Sequence, residues 1–236
     1  MHPFSATQAA AQAWEALQPE RWPLEPGCFP PGSALVGGAV RDALLQRLGP
    51  YPDLDLVVPQ GAIKLCQRLA KQHRGTAVVL DRERDMARLV LGPWSLDLAA
   101  QEGPDLISDL QRRDYGINAL ALPLKAQAPL LDPTGGLDDL AARRVRFIGD
   151  ARTRIREDHL RILRYFRFQA RFGQEVDEEA LAACTDLAYT LKGISRERAA
   201  NIDEPSWRAC SDAELAQRTE ARDGLHAPRA GKESDW

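Results

Sequence analysis

The chain has 236 residues, 44% hydrophobic and 28% charged, with 31 Lys and Arg against 34 Asp and Glu for a net charge of −3. That content supports one large domain or two modest ones, and the near-neutral charge excludes a general affinity for polyanions. No apolar run approaches the roughly 20 residues that span a bilayer. The start lacks the charged-then-apolar order of a secretory signal, and Cys28, Cys66, Cys184 and Cys210 form no CxxC pair. The expectation is a soluble, cytoplasmic protein with reduced thiols.

In chain order, residues 6–18 suit an amphipathic helix and lead into a proline-rich connector, QPERWPLEPGCFPPGS. ALVGG reads as a short strand or turn running into the helix AVRDALLQRL, stopped at Gly49-Pro50. DLDLVV alternates, which turns Leu54, Leu56 and Val58 toward a core and leaves Asp53, Asp55 and Val57 on the other face. Residues 61–73 read as a helix, and TAVVL, ARLVL and WSLDLAA as three strands, the first two joined by DRERD. A helical turn near DLISDLQRRD precedes INALAL, read as another strand. From about 151 to 188 the pattern is helical, and Ser195 is placed to cap a further short helix. The domains expected are an N-terminal extension 1–31, an α/β head 32–150, a helical neck 151–204 and a polar, disordered tail 205–236.

Asp53 and Asp55 sit at i and i+2, so on a strand they share a face and repel unless a cation lies between them. Two carboxylates there suit a divalent metal such as Mg²⁺, with Asp97 of SLDLA as the best third, since Leu96 and Leu98 point the opposite way. The bland alternative is a strand end with solvated acids. GGAVRD is neither a Walker A loop nor GxGxxG. Its glycines still let backbone N–H groups approach a phosphate, and Arg41, one turn in, is placed to reach a triphosphate. Equally, a glycine pair marks a tight turn. Ten arginines lie between Arg143 and Arg171 against Asp150, Glu157 and Asp158, which predicts a basic face or a solvated helical surface.

Glycine pair, helix and DxD in this order resemble the DNA polymerase β nucleotidyltransferase superfamily. RRDYGINALAL resembles RRDxxxNA, LDPTGGLDDL resembles DPxGGxxDL, REDHLRILRYFRF resembles EDxxRxxRxxRF, and LKGISRER resembles a last head-and-neck motif. The ordered set, over about residues 34 to 198, is similar to the class II tRNA nucleotidyltransferase/bacterial poly(A) polymerase family. The resemblance implies a head with a mixed, mainly antiparallel nucleotidyltransferase sheet followed by an all-helical neck. It implies catalytic Mg²⁺ on Asp53 and Asp55, with Asp97 as third acid. Nucleotide contacts fall on Gly37, Gly38 and Arg41, on Asp114 for the ribose with Arg112, Arg113 and Asn118 around it, and on Asp158 and Arg161 for the base, with Arg164 and Arg167 nearby. The DPTGG segment is a turn, its glycines supplying positive φ.

The base chemistry has its own logic. A carboxylate accepts from the amino group of cytosine or adenine while a guanidinium donates to the adjacent ring nitrogen. Uracil and guanine put a carbonyl against the carboxylate. One Asp/Arg pair thus admits C and A without a template. At 100° per residue Asp158, Arg161, Arg164 and Arg171 share one side of a helix, and Leu160, Leu163, Phe166 and Ala170 form its apolar face. Arg167 falls within that arc and needs a partner, a phosphate or an acid such as Asp139. Glu157 is spaced to orient Arg161. His73 and His159 suit solvated positions.

Two departures stand out. Only AAQEGPDLISDLQ separates Leu98 from Arg112, where the family carries a longer flexible segment, and the short form resembles enzymes that add cytidines alone. The sequence also stops soon after the last motif, so weak tRNA binding, a homodimer or a partner subunit is expected. The reading is template-independent transfer from CTP and ATP to an RNA 3′ end, as in tRNA CCA or CC addition. Poly(A) polymerase activity and a non-catalytic RNA- or nucleotide-binding remnant are the alternatives.

Overall fold

Ser5 starts the first element by closing a capping box: its Oγ accepts the Gln8 amide and Gln8 Oε1 accepts the Ser5 amide at 2.8 Å. The helix it opens, α1 (Ala6–Leu17), buries Ala9, Ala10, Ala13 and Leu17. A computed structural model describes residues 5–194 of the chain. It divides into Met1–Leu191 and Lys192–Trp236, and the first is described below. The expected Ser195 cap, the tail 205–236 and Cys210 lie outside the described residues.

The proline-rich connector buries Trp22, Leu24 and Phe29 in the same core as α1, with Trp22 Nε1 donating to the Leu17 carbonyl at 2.9 Å. The chain then runs through β1 (Ala34–Val36), α2 (Gly38–Leu44), β2 (Leu54–Val58), α3 (Ala62–His73), β3 (Thr76–Asp81), β4 (Met86–Leu91), β5 (Trp94–Ala100), α4 (Leu106–Gln111) and β6 (Ala121–Pro123). The strands form one sheet in the order β3-β4-β5-β2-β1-β6. Only β2 and β5 pair in parallel, so the sheet is mixed and mainly antiparallel, as expected. Alternation holds in β2: Leu54, Leu56 and Val58 enter the main core, and Val57 is buried on the opposite face with Val36 and Ala121. Among the described residues no helix is long and apolar enough to cross a membrane.

Among the described residues three α-helices follow α5 (Gly136–Ala141): α6 (Ala151–Glu157), α7 (Leu160–Phe172) and α8 (Glu178–Asp186). They share a second core with the head, where Tyr115, Ile117 and Phe147 meet Ile155, Ile162, Tyr165, Phe168 and Phe172. This corrects the apolar face expected for α7. Ile162, Tyr165, Phe168 and Phe172 are buried, whereas Phe166 is 46% exposed. Asp158 lies outside the helix, with extended backbone between α6 and α7 and its carboxylate accepting the Leu160 amide at 3.1 Å. The helical face drawn through Asp158 therefore does not exist. INALAL is likewise only part strand: Gly116–Asn118 form a 3₁₀ turn, and pairing begins at Ala121.

In the DPTGG turn Asp132 accepts the Gly136 and Leu137 amides at 2.7 and 2.9 Å, and only Gly135 takes positive φ (76°). Gly136 is small for another reason. A Cβ there would lie 2.2 Å from the Gly116 carbonyl oxygen. Gly136→Ala is expected to cost about 2 kcal/mol in urea unfolding.

Candidate active site

The turn between β1 and α2 puts Gly37 at φ 71°, ψ −131°, a conformation that favours glycine. A Cβ on Gly37 would stand 3.3 Å from Asp55 Oδ2 and 3.6 Å from Arg113 Nη1. The backbone of the glycine turn thus passes directly over the Asp55 carboxylate. Strand register builds the rest. Asp55 pairs with Asp97 across the parallel β2–β5 ladder, and Asp97 with Arg88 across the antiparallel β5–β4 ladder, so the three side chains share one face of the sheet. Asp53 is exposed immediately before β2.

These acids act on one another. The Asp55 carboxyl is pushed up to about 6, first by burial, then by the charges of Asp97 and Asp53, with Arg113 and Arg88 opposing. A carboxyl raised in this way holds a proton in the folded chain after the unfolded chain has lost it. Metal-free stability is therefore expected to fall, by about 2 kcal/mol, as pH rises from about 4 to about 6. Urea midpoints across that interval check it, and Asp55→Asn should flatten the dependence.

Arg88 was not singled out in the sequence. Its Nε and Nη2 donate to Asp97 Oδ1 and Oδ2 at 2.7 and 2.8 Å, a two-point fork. The alternation of ARLVL beside SLDLA is the signal that points Arg88 to the acidic face once the two strands are paired. Among the described residues no three His, Cys, Asp or Glu side chains converge as a ready metal cage. Asp97 is engaged by Arg88, which leaves Asp53 and Asp55 as the hard-oxygen pair.

Most other sequence-selected residues interlock around α2 and α7. Arg41, expected within reach of a triphosphate, is packed into the protein. It is buried, with Nη1 on Asn118 Oδ1 at 2.6 Å, Nε on Asp42 Oδ1 at 2.8 Å, and its guanidinium 4.5 Å from the Phe172 ring centroid. Gly38 lies beside it, and a Cβ there would make only an ordinary contact, 3.6 Å from Arg41 Nη2. Asp114 Oδ1 accepts the Tyr115 amide at 2.9 Å and Asn118 Nδ2 at 3.3 Å, and Oδ2 receives Arg164. Arg113 pairs with Asp109 at 3.1 Å, and the exposed Arg112 with Glu102 at 3.4 Å.

Arg161 is held by Glu157, as its spacing predicted, and donates to the Arg154 carbonyl at 2.7 Å. Arg167 lies 4.9 Å from the Phe168 centroid, and burial, then Arg164, Arg41 and Arg171, disfavour its charge. The proposed Asp139 partnership for Arg167 is corrected: Asp139, fully buried, receives Arg144 and Arg146 instead. Nor do the clustered arginines make an open basic face. Arg144, Arg146, Arg152, Arg154, Arg161, Arg164 and Arg171 each pair with an acid: Asp186, Asp114 and Asp42 come from distant sequence, Asp139 from the helix just before, and Glu157 from within the run.

A glycine turn laid over a strand carboxylate that faces a second one on the neighbouring strand is what the resemblance to a nucleotidyltransferase head implies. The comparisons specify it. Residues 96–146 match the poly A polymerase head domain. A CC-adding tRNA nucleotidyltransferase of Synechocystis sp. is 39% identical over 75% of this chain and 42% of its own length. An A-adding tRNA nucleotidyltransferase of Deinococcus radiodurans is 36% identical over 81% of this chain and 41% of its own. The crystal structure of a tRNA nucleotidyltransferase with a primer tRNA and an incoming ATP analog superposes with TM-score 0.65 at 29% identity, covering 86% of this chain and 60% of that one. Over the region it shares with them, the chain belongs to the class II tRNA nucleotidyltransferase family. It spans less than half the length of the curated relatives it matches.

Proposed function

We propose that the chain carries the nucleotidyl-transfer site of a cytoplasmic tRNA-processing enzyme, adding cytidines from CTP to the 3′ end of tRNA without a nucleic-acid template. The single observation behind this reading is Gly37 lying over Asp55 with Asp97 in register beside it. The donor chemistry fits Mg²⁺: hard carboxylate oxygens on Asp53 and Asp55, with Asp55 raised by burial and then by its neighbours' charge, both relieved by a cation. When bound, the ion supplies positive charge that polarises the α-phosphate and balances the departing pyrophosphate.

The chain's own residues do the remainder. Gly37 and Gly38 let phosphate approach the backbone, and Arg113, beside the Gly37 turn, offers a guanidinium at that edge. Asp114 is fixed by Arg164, Tyr115 N–H and Asn118, with a carboxylate suited to a ribose hydroxyl. Asp158 and Arg161 supply the acceptor and donor that select C and A, provided Arg161 exchanges Glu157 for the base. Arg41, Arg164 and Arg167 gather on the rings of Phe168 and Phe172, a cationic cluster suited to a triphosphate.

The short run between β5 and Arg112 favours a CC product. Its second half is already the capped helix α4, with Asp105 Oδ1 accepting the Ser108 amide at 2.7 Å, so little chain is free to reshape the site from C to A. Labelled CTP and ATP offered with tRNA lacking its CCA end test the reading. Two cytidines and no terminal adenosine are expected. Efficient A addition contradicts the CC product, and failure to incorporate either nucleotide contradicts the site.

A further inference from the structure

Arg88 stands on the acidic face of the sheet, paired in register with Asp97 and facing the charges of Asp53 and Asp55 as well. Its fork takes one lone pair on each oxygen of Asp97, at 2.7 and 2.8 Å, so the edge that would chelate an ion with both oxygens is filled by the guanidinium. An ion held by both oxygens of Asp97 has to displace the fork, and one held by a single oxygen sits against the guanidinium's positive charge. The Arg88 side chain is 46% exposed, so the guanidinium can move into water without a large desolvation cost.

We propose that Arg88 is a positioning residue that competes with the divalent ion for Asp97. The consequence is that the ion is held firmly only together with the oxygens of an incoming triphosphate. The inference rests on the reading of Asp53, Asp55 and Asp97 given above. In physical terms Arg88 balances three neighbouring carboxylates, which keeps the sheet face foldable. The same charge repels a dication arriving alone. A nucleotide adds phosphate ligands and negative charge, which tips the exchange toward the ion and frees Asp97 from the fork.

The test is titration of Mn²⁺ alone, followed by the paramagnetic resonance signal of the free ion, into the wild type, Arg88→Met, Arg88→Lys, Asp97→Asn and the Arg88→Met/Asp97→Asn double variant. Removing the guanidinium is expected to tighten Mn²⁺ binding about tenfold. Arg88→Lys keeps a charge but loses the fork and should fall between. Should Arg88→Met fail to fold, Arg88→Lys carries the test.

Because the effect runs through Asp97, most of the gain should vanish in the Asp97→Asn background. An affinity unchanged in both Arg88 variants, or a gain just as large without the Asp97 carboxylate, overturns the inference. Its failure is distinct from failure of the site itself. If the wild type binds no Mn²⁺ even with CTP, both fall. If Asp53→Asn abolishes binding while Arg88→Met leaves it unchanged, only the competition does.

Discussion

Asp55→Asn is expected to lower CTP incorporation by about a thousandfold. The substitution keeps the shape of the side chain under the Gly37 turn and removes only the charge. Nucleotidyl transfer leans on electrostatic stabilisation of the phosphate oxygens, and losing an anionic ligand to the ion removes several kcal/mol of it, each ~1.4 kcal/mol being tenfold in rate. The fold should tolerate the change, since the raised Asp55 carboxyl shows that its charge is a burden without a cation. Single-turnover incorporation of labelled CTP, beside urea unfolding of the same samples, separates the two effects. A variant less stable than wild type in metal-free buffer near neutral pH, yet still active, contradicts this account.

Asp139→Asn is expected to act the other way, costing about 3 kcal/mol of stability. Asp139 is fully buried, and its carboxylate accepts four hydrogen bonds, from Arg144 at 3.0 and 3.3 Å and from Arg146 at 2.9 and 3.2 Å. An amide keeps the volume but leaves two guanidinium groups facing a neutral side chain whose own N–H groups have no acceptor there. Both arginines are about one-third exposed, so water recovers part of the loss, and the low end of the range for broken buried pairs applies. The urea midpoint should drop with an unchanged slope. A midpoint within experimental error of wild type shows that the pair does not hold α5 to the segment after it.

Local patterns made most of the head legible. Period-two alternation in DLDLVV, ARLVL and WSLDLAA gave both the strands and the face of each acid, and register then brought Asp55 and Asp97 together. The glycine turn was visible as GG, and its purpose, clearance over Asp55, needed the structure. The pattern failed where tertiary context decides. The wheel for α7 assumed one continuous helix, but Asp158 breaks it, and the buried stripe runs through Ile162, Tyr165 and Phe168. Charge counting over 143–171 could not see that Asp42, Asp114, Asp139 and Asp186 would fold onto those arginines. Arg88 was missed for the same reason, since its partner lies on another strand.

The central claim is that Asp53 and Asp55 ligate the divalent ion that carries nucleotidyl transfer, and a ligand-softness exchange tests it most directly. Asp55→Cys presents a thiolate in place of a hard carboxylate, which disfavours Mg²⁺ and favours softer ions. Incorporation of CTP by this variant should be lost with Mg²⁺ and recovered in part with Mn²⁺ or Cd²⁺, while the wild type shows no such gain. Full activity of Asp55→Cys with Mg²⁺, or no recovery with any softer ion in a folded variant, would contradict the account.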